Sequence, residues 1–464
     1  MKSIIIAAPH SGSGKTTITL GIMEVLRRRG LVVAPFKVGP DFIDPGYHRL
    51  VCGRPSISLD GWMCGPDYVR DAFARHAHGA DIAVIEGVMG LFDGFGGTLD
   101  EGSTAQVARL TGSPVVLVVD AKGFARSAAA LVAGFARFDP EVRVAGVIFN
   151  NVASESHGRI LREAVESACP ELKVLGALPR DERVHIPSRH LGLLTADDNP
   201  LSPEFRDHLV EVIRNGVDLG MLWGIATPQG APEPPAEDAG RTGPAKPVRI
   251  AVARDEAFCF VYEDNLRLLA EAGAAVVPFS PLRDPALPAG IAGLYLPGGY
   301  PELFAETLAA NQGLLNEIRG QIEAGMPTYA ECGGFIYLSQ GMAGETGDAE
   351  LLHRFVGVFP VVTRMLSRRR ALGYREVELT ADSILGPAGT VGRGHEFHYS
   401  EMEPMPPEVE RVYRVRRGGV DLGTEGFRHR SCLASYIHLH FGSCPAMADA
   451  FVAGCRNYAT RSHS

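Results

Sequence analysis

The chain's 464 residues correspond to two or three domains at roughly 150 residues each. Its 45% hydrophobic and 21% charged content excludes wholesale disorder. The 45 Lys+Arg against 54 Asp+Glu give a net charge of −9, which argues against a general nucleic-acid partner. No apolar stretch approaches the ~18 residues of a membrane span. The eight cysteines are scattered without a CxxC pair, so neither a disulfide framework nor a zinc site is indicated, and a reduced cytoplasm is the expectation.

From the first residue the chain alternates short β-branched runs with helical patterns. Strands are predicted at Ser3–Ala8, Val32–Phe36, Ile82–Glu86, Val115–Asp120 and Val144–Asn150. Between them lie helices such as Thr16–Arg29, with Ile18, Ile22, Val25 and Leu26 on one face and Gly30 as the stop. Near-continuous apolar strands separated by helices predict an α/β fold with a parallel sheet covered on both faces.

The first strand runs into Pro9-His10-Ser11-Gly12-Ser13-Gly14-Lys15-Thr16-Thr17. Strand, glycine-rich turn, Lys-Thr and helix make a phosphate loop, in which the backbone N–H groups of Gly12, Ser13, Gly14 and Thr17 and the helix N-terminus face the phosphates. Lys15 would reach the terminal phosphates and the Thr16 hydroxyl would ligate Mg²⁺. Pro9 stands where the usual pattern has glycine, and a ligand-free βα turn is the plainer alternative. Four carboxylates follow predicted strand ends, where open α/β sheets bind ligands: Asp41, Asp44, Glu86 and Asp93. Glu86 and Asp41 are favoured for the metal because each directly follows a buried strand. A turn or cap role is the competing reading for any one of them.

Between Thr227 and Pro247, six prolines and three glycines with few apolar residues read as a linker. The expected organisation is a first domain at 1–226, a linker at 227–247 and a second α/β domain at 248–464. In the second domain, strands are predicted at Val248–Ala253, Ala275–Pro278, Gly293–Leu296 and Thr328–Glu331, with a helix around Asn265–Ala272.

Ala330-Glu331-Cys332-Gly333-Gly334 has the layout of a nucleophile elbow, with Ala330 in place of the first glycine. A helix N-terminus after Cys332 would lower its thiol pKa. The Gly298-Gly299 turn and Gly333 are candidate oxyanion donors. In Ser435–Phe441, His438 and His440 would share one side of a strand, and one of them could serve Cys332 as base. Arg364 with Arg368-Arg369-Arg370 forms a basic cluster suited to a polycarboxylate, and a solvated loop fits it equally well. His395, Glu396, His398 and Tyr399 make Gly394–Ser400 too polar for plain core, and recognition of a substrate is its expected role.

In this order, the runs Ser11–Thr17, Pro35–Asp44, Glu86–Gly94, Pro297–Glu302, the Cys332 elbow, Gly394–Ser400 and Ser435–Phe441 resemble the cobyrinic acid a,c-diamide synthase family over essentially the whole chain. The resemblance implies a dethiobiotin-synthetase-like ATPase domain followed by a class I glutamine amidotransferase domain. It implies amidation of two carboxylates of a corrin with ATP, Mg²⁺ and glutamine. Cys332 would be the glutaminase nucleophile and His438 its base. Lys15, Thr16, Lys37, Asp41 and Glu86 would handle ATP and Mg²⁺, Asp93 would lie near the reacting carboxylate, and Asn150 would read the adenine edge. Arg368, His395 and His398 would face the corrin. Where many class I enzymes carry Glu two residues after the histidine, this chain has His440, so the third member of the site is unassigned. Hydrogenobyrinic acid or a nickel sirohydrochlorin are alternative substrates. A nucleotide-switched scaffold is the alternative from another class, which the thiol at a glycine-flanked elbow disfavours. A homodimer is left open.

Overall fold

The computed structural model describes residues 1–184, 186, 201–228, 246–343, 352–366 and 370–461. It divides into two units, Met1–Glu237 and Asp238–Ser464.

Isoleucines and valines buried on both faces build the first unit's sheet, the pattern that only a doubly covered parallel sheet satisfies. Its strands are β1 (Lys2–Ala7), β2 (Val33–Val38), β3 (Ile57–Leu59), β4 (Ile82–Glu86), β5 (Val115–Asp120), β6 (Val144–Val152), β7 (Lys173–Pro179) and β8 (Thr227–Pro228). The order is β3-β2-β4-β1-β5-β6-β7, with every pair parallel except β8, which runs antiparallel along β1. Thr227 and Pro228, assigned by composition to the linker, thus belong to the first sheet, while residues 229–245 lie outside the described residues. Glu86 is level with Ile6 of β1 and with Lys37 of β2, so three strand ends converge beside the glycine-rich loop. Helix α1 (Lys15–Arg28) follows that loop and buries Ile18, Ile22, Val25 and Leu26, as its spacing predicts. It stops one residue before the left-handed Gly30 (φ +83°) is reached, at Arg29.

In the second unit the strands are β9 (Val248–Ala253), β10 (Ala274–Phe279), β11 (Gly293–Leu296), β12 (Thr328–Glu331), β13 (Ser339–Ala343), β14 (Leu352–Arg354), β15 (Phe359–Met365), β16 (Ala371–Leu379), β17 (Val391–His398), β18 (Ser400–Met402), β19 (Glu410–Arg417), β20 (Val420–His429), β21 (Cys432–Ser435) and β22 (His438–Leu439). A ten-stranded sheet runs β10-β9-β11-β12-β21-β20-β19-β16-β17-β22. Its first five strands are parallel and the remainder antiparallel. A second sheet, β14-β13-β15-β18, lies beyond Cys332. The βα alternation expected of this half therefore ends at β12. The predicted strand Ser435–Phe441 is also broken: it divides into the end of β21, the two-residue β22 and a turn capped by His440, whose Nδ1 accepts from Gly442 N at 3.0 Å.

Packing of α1 against the helix Pro203–Gly216 is closed by a buried charge. Glu24, fully buried, accepts from Arg27 Nη2 at 2.9 Å, Arg28 Nε at 2.7 Å and Arg206 Nη2 at 2.8 Å. Burial pushes its pKa up, but the three guanidinium hydrogen bonds outweigh that and bring it down to about 2. A carboxylate whose pKa is lower folded than unfolded stabilises the fold above the unfolded value and loses that contribution as pH falls toward the folded value. In urea denaturation, Glu24→Gln should lower the unfolding free energy at pH 7 by about 2 kcal/mol, as for a lost charge-assisted hydrogen-bond set. The difference from the parent should vanish as pH falls from the ordinary carboxylate value of 4.5 toward 2.

Candidate active sites

In the first unit the glycine-rich loop turns sharply at Gly12 (φ +82°) and Gly14 (φ +94°). At Gly14 the close approach is as demanding as the dihedral, because a methyl group there would stand 2.2 Å from Asn150 Nδ2. That amide donates to Ser13 O at 3.1 Å, which ties the loop to the end of β6. Ser13 is buried and its hydroxyl donates to His10 O at 2.9 Å. Asn150, Gly12, Gly14, Thr17 and Asn151 line a cavity of about 530 Å³ together with Leu178 and its neighbours on β7. The loop thus borders a cavity whose wall mixes backbone, apolar side chains and the charged Arg180, Asp181 and Glu182.

On the loop's other side, Thr16 Oγ1 donates to Glu86 Oε1 at 2.6 Å and lies 3.4 Å from Asp44 Oδ2. Lys37 Nζ donates to Asp44 Oδ2, to Glu86 Oε1 at 3.1 Å and to Gly87 O at 3.1 Å. His48, fully buried, places Nε2 2.7 Å from Glu86 Oε2 and Nδ1 2.9 Å from Ser56 Oγ. Burial would raise the Glu86 pKa, yet Lys37, His48 and Thr16 hold it well below the carboxylate range. Asp44 moves the other way, raised by burial and by the charges of Asp41 and Glu86. Burial lowers the Lys37 pKa, but Asp44, Glu86 and Asp41 more than offset this, so its ammonium is held well above the ordinary value. Lys15 donates to Met89 O at 2.7 Å, and burial with the nearby Lys37 charge brings its pKa down to about 8.

Asp41 differs from what its place in the sequence suggests. Its Oδ1 accepts from Ile43 N at 2.8 Å and Asp44 N at 3.1 Å, which starts the helix Ile43–Cys52, and its other oxygen lies 3.7 Å from Lys37 Nζ. Asp44, one helical step on, is the carboxylate that meets Thr16. Asp93 likewise closes a turn, with Oδ2 accepting from Gly90 N at 2.8 Å, while staying within electrostatic reach of Lys15.

In the second unit Cys332 sits directly after β12 at φ 44°, ψ −102°, a strained conformation for a side chain with a Cβ. Its amide donates to Ser435 O at 2.7 Å, and its carbonyl accepts from Ile336 N in the following helix Gly333–Leu338. The Gly298–Gly299 turn comes against this elbow: a methyl on Gly333 would stand 2.9 Å from Gly299 N. Gly298 has to lack a side chain, because a methyl there would stand 2.2 Å from His438 Cε1. His438 pairs with His395 across β22 and β17, and the two rings stack at 4.9 Å and 13°. His395 Nδ1 is 2.9 Å from Tyr262 Oη. Glu331 is buried beside them, with Oε2 3.9 Å from His438 Nδ1.

Two expectations need correction here. The thiol pKa does not fall: burial, with Glu302, Glu396 and Glu331 adding to it, pushes Cys332 far above the usual value and overrides the Gly333 N–H. Burial also pulls His438 down to about 3, so the resting pair is neutral thiol and neutral imidazole. Secondly, His395 and His398 do not form a macrocycle-reading surface. Both are buried, His395 against His438, and His398 stacked on Tyr436 at 4.0 Å with Nε2 2.9 Å from Glu396 Oε1. The polar density of that run is satisfied inside the unit, with Arg375 Nε donating to Glu396 Oε2 at 2.7 Å. His440, the other histidine considered for the base, has its own structural partners. It caps its turn and packs on Tyr262 at 4.5 Å. Arg368 and Arg369 lie outside the described residues; the flanking Arg364 and Arg370 both reach Glu401.

Residues 4–194 match the CobQ/CobB/MinD/ParA nucleotide binding domain family, and residues 249–446 match the CobB/CobQ-like glutamine amidotransferase domain family. The chain is 48% identical over 458 residues to the cobyrinate a,c-diamide synthase of Syntrophotalea carbinolica, covering 98% of each chain. The chain belongs to the cobyrinate a,c-diamide synthase family. Other members include the hydrogenobyrinate a,c-diamide synthase of Streptomyces coelicolor (43% identical, 98% of this chain and 97% of that one). The cobyrinate a,c-diamide synthase of Salmonella typhimurium is 41% identical over 98% of each chain. The phosphate loop and its carboxylates thus lie in this family's nucleotide-binding domain, and Cys332 and His438 in its glutamine amidotransferase domain.

Among the described residues, three of the four non-glycine positive-φ positions belong to these sites: Met89, whose carbonyl receives Lys15, Asn151 on the cavity wall, and Cys332. The sequence singles out Cys332 but favours Asp41 over Asp44, and gives no sign of His48 or Tyr262. His48 and Tyr262 act through partners 38 and 133 residues away. A neutral, buried thiol has a testable chemical consequence. In the free enzyme at pH 7.5, iodoacetamide should alkylate Cys332 more slowly than free cysteine, and the rate should keep rising with pH beyond 9, as followed by mass spectrometry of the Cys332 peptide. A rate that levels off near pH 7 would show a thiolate instead.

Proposed function

We propose that this chain uses ATP and glutamine to amidate the a and c carboxylates of cobyrinate, yielding the a,c-diamide in cytoplasmic cobalamin biosynthesis. The observation that carries the reading is full-length similarity, 48% over 98% of both chains, in a chain that holds both a nucleotide-binding domain and a glutamine amidotransferase domain. The Streptomyces relative favours hydrogenobyrinate as a second reading for the same chemistry.

A carboxylate resists nucleophilic attack because it is already charged, and transfer of the ATP γ-phosphoryl group gives it a leaving group. The loop amides from Gly12 to Thr17 and Lys15 would hold the phosphates, Asn150 the base edge, and Lys37 the charge beside them. Asp93, at the mouth of its turn, would position the substrate carboxylate. Thr16, Asp44 and Glu86 offer the oxygen donors that suit Mg²⁺, an ion that keeps water and phosphate among its ligands. Among the described residues no group of three His, Cys, Asp or Glu side chains makes a complete metal site by itself. When bound, Mg²⁺ neutralises phosphate charge. We assign the second carboxylate of this set to Asp44 in place of Asp41, because Asp44 touches Thr16.

Ammonia is mostly protonated in neutral water, so a nucleophilic amine has to be generated at the enzyme. His438 would take the proton from Cys332 as sulfur attacks the glutamine amide carbon, with Gly299 and Gly333 N–H groups facing the oxyanion. The same proton then goes to the departing NH₃, and water releases glutamate from the thioester.

Incubation with cobyrinate, hydrogenobyrinate or nickel sirohydrochlorin, plus ATP, Mg²⁺ and glutamine, should add two amides to cobyrinate or hydrogenobyrinate, counted by mass spectrometry. No amide on either corrin would overturn the reading. Cys332→Ala should abolish glutamine-driven amidation and retain the reaction driven by ammonium salts. Lys15→Ala should lower both by at least about a hundredfold, as for loss of a donor on developing charge.

A further inference from the structure

The second unit lacks a carboxylate two residues beyond His438, where His440 stands. An imidazole that accepts a proton in a dry site acquires a charge that nothing solvates, so a counter-charge has to come from elsewhere. Two carboxylates bear on the ring: the charge of Glu396 reaches His438, and Glu331 lies at its Nδ1 edge. Glu331 Oε2 lies 3.9 Å from His438 Nδ1, and both side chains are about 1% exposed. Three donors fix the carboxylate: Tyr295 Oη to Oε2 at 2.9 Å, and Tyr329 Oη at 2.7 Å and Leu439 N at 2.9 Å to Oε1. The Leu439 bond ties the Glu331 carboxylate at the end of β12 to the residue that follows His438 on β22. On the ring's other side, Gly298 and the His395 stack block movement.

Resting on the glutaminase reading of Cys332 and His438, we propose that Glu331, the residue immediately before the nucleophile, is the positioning residue that holds the Nδ1 side of His438 and balances the proton His438 receives from Cys332. The proton moves from Sγ to the imidazole as the S–C bond forms, and leaves with NH₃ as the C–N bond breaks. Glu331 keeps its charge throughout. The groups that face Glu331 are Tyr295 from β11, Tyr329 from β12, Tyr413 from β19 and His438 from β22, with Cys332 adjacent in the chain. Burial raises its pKa to about 7, with the tyrosines and Leu439 N–H opposing. Ionised Glu331 is required, so glutamine hydrolysis should fall as pH drops through about 7. His438, at about 3, does not titrate in that range.

The test is the pH profile of kcat/KM for glutamine hydrolysis in the full chain and in Glu331→Gln and Glu331→Asp. Glu331→Gln should lower kcat by about a hundredfold, the lower end of what positioned acid–base catalysis supplies. Its KM should change less than twofold and its acid limb near pH 7 should disappear, while Glu331→Asp restores part of kcat and the limb. The proposal is overturned if Glu331→Gln keeps the parental kcat and limb, which would assign the limb to Glu302 or Glu425, also raised to about 7 by burial. It is equally overturned if both variants lose kcat with the limb unmoved, the mark of a structural role. Cys332→Ala run in parallel separates the two levels: hydrolysis surviving in that variant removes the glutaminase assignment itself.

Discussion

A carboxylate withdrawn from water has to be compensated, and each unit is assembled around one that ends a parallel strand: Glu86 after β4 and Glu331 after β12. Both are almost completely buried. Their compensation differs, and the difference separates the two chemistries. Glu86 meets an ammonium, an imidazole and a hydroxyl from three separate elements, which hold it ionised. Glu331 meets two phenols and one amide, which carry no charge, and its pKa rises. The first environment is already charged and ordered, as needed to receive phosphates. The second surrounds its carboxylate with uncharged donors, and on the proposed reading a positive charge arises beside it only when a proton reaches His438.

Topology places these carboxylates where they can act. In the first unit β1 lies between β4 and β5, so the chain leaves the sheet in different directions around the end of β1 and opens a crevice there. Register then sets Lys37 and Glu86 side by side without any loop having to arrange them. In the second unit the corresponding crevice after β12 is closed by strands that run against the parallel set. Pairing of β17 with β22 carries His395 onto His438 across a long separation in sequence.

This explains what could be read from the sequence. The phosphate loop, the Glu86 strand end and the Cys332 elbow are local: strand, turn and helix within about ten residues, each with steric demands that restrict composition. The strands β1, β4, β5, β9, β11 and β12 were legible for the same reason, since burial on both faces makes them continuous apolar runs. The largely antiparallel stretch from β13 to β20, where only β13 and β15 pair in parallel, was not, because half-exposed strands such as β19 and β20 alternate charges with apolar residues and carry no statement of their partners. Glu331 stood inside the elbow motif but resembled a spacer, since only the fold shows that its side chain turns toward His438. Asp41 and Asp44 illustrate the same limit at short range. Three residues apart, they differ in role because one caps a helix and the other points from its first turn at Thr16.

The neutral resting state of Cys332 and His438 bears on how such a site distinguishes reaction from idling. An ion pair of thiolate and imidazolium would be reactive toward any electrophile reaching it. In a dry pocket, forming that pair costs desolvation of two charges. The cost is offset only when the sulfur's charge is passed at once to an oxyanion held by backbone N–H groups and the imidazolium is faced by a carboxylate. On the proposed glutaminase reading, the first condition would be met by a bound amide carbonyl facing the Gly299 and Gly333 nitrogens. The second needs Glu331 ionised, against a pKa that burial has raised to about 7. On that reading, burial does more than hold the parts in place: it would make the reactivity of Cys332 depend on the presence of the amide it attacks.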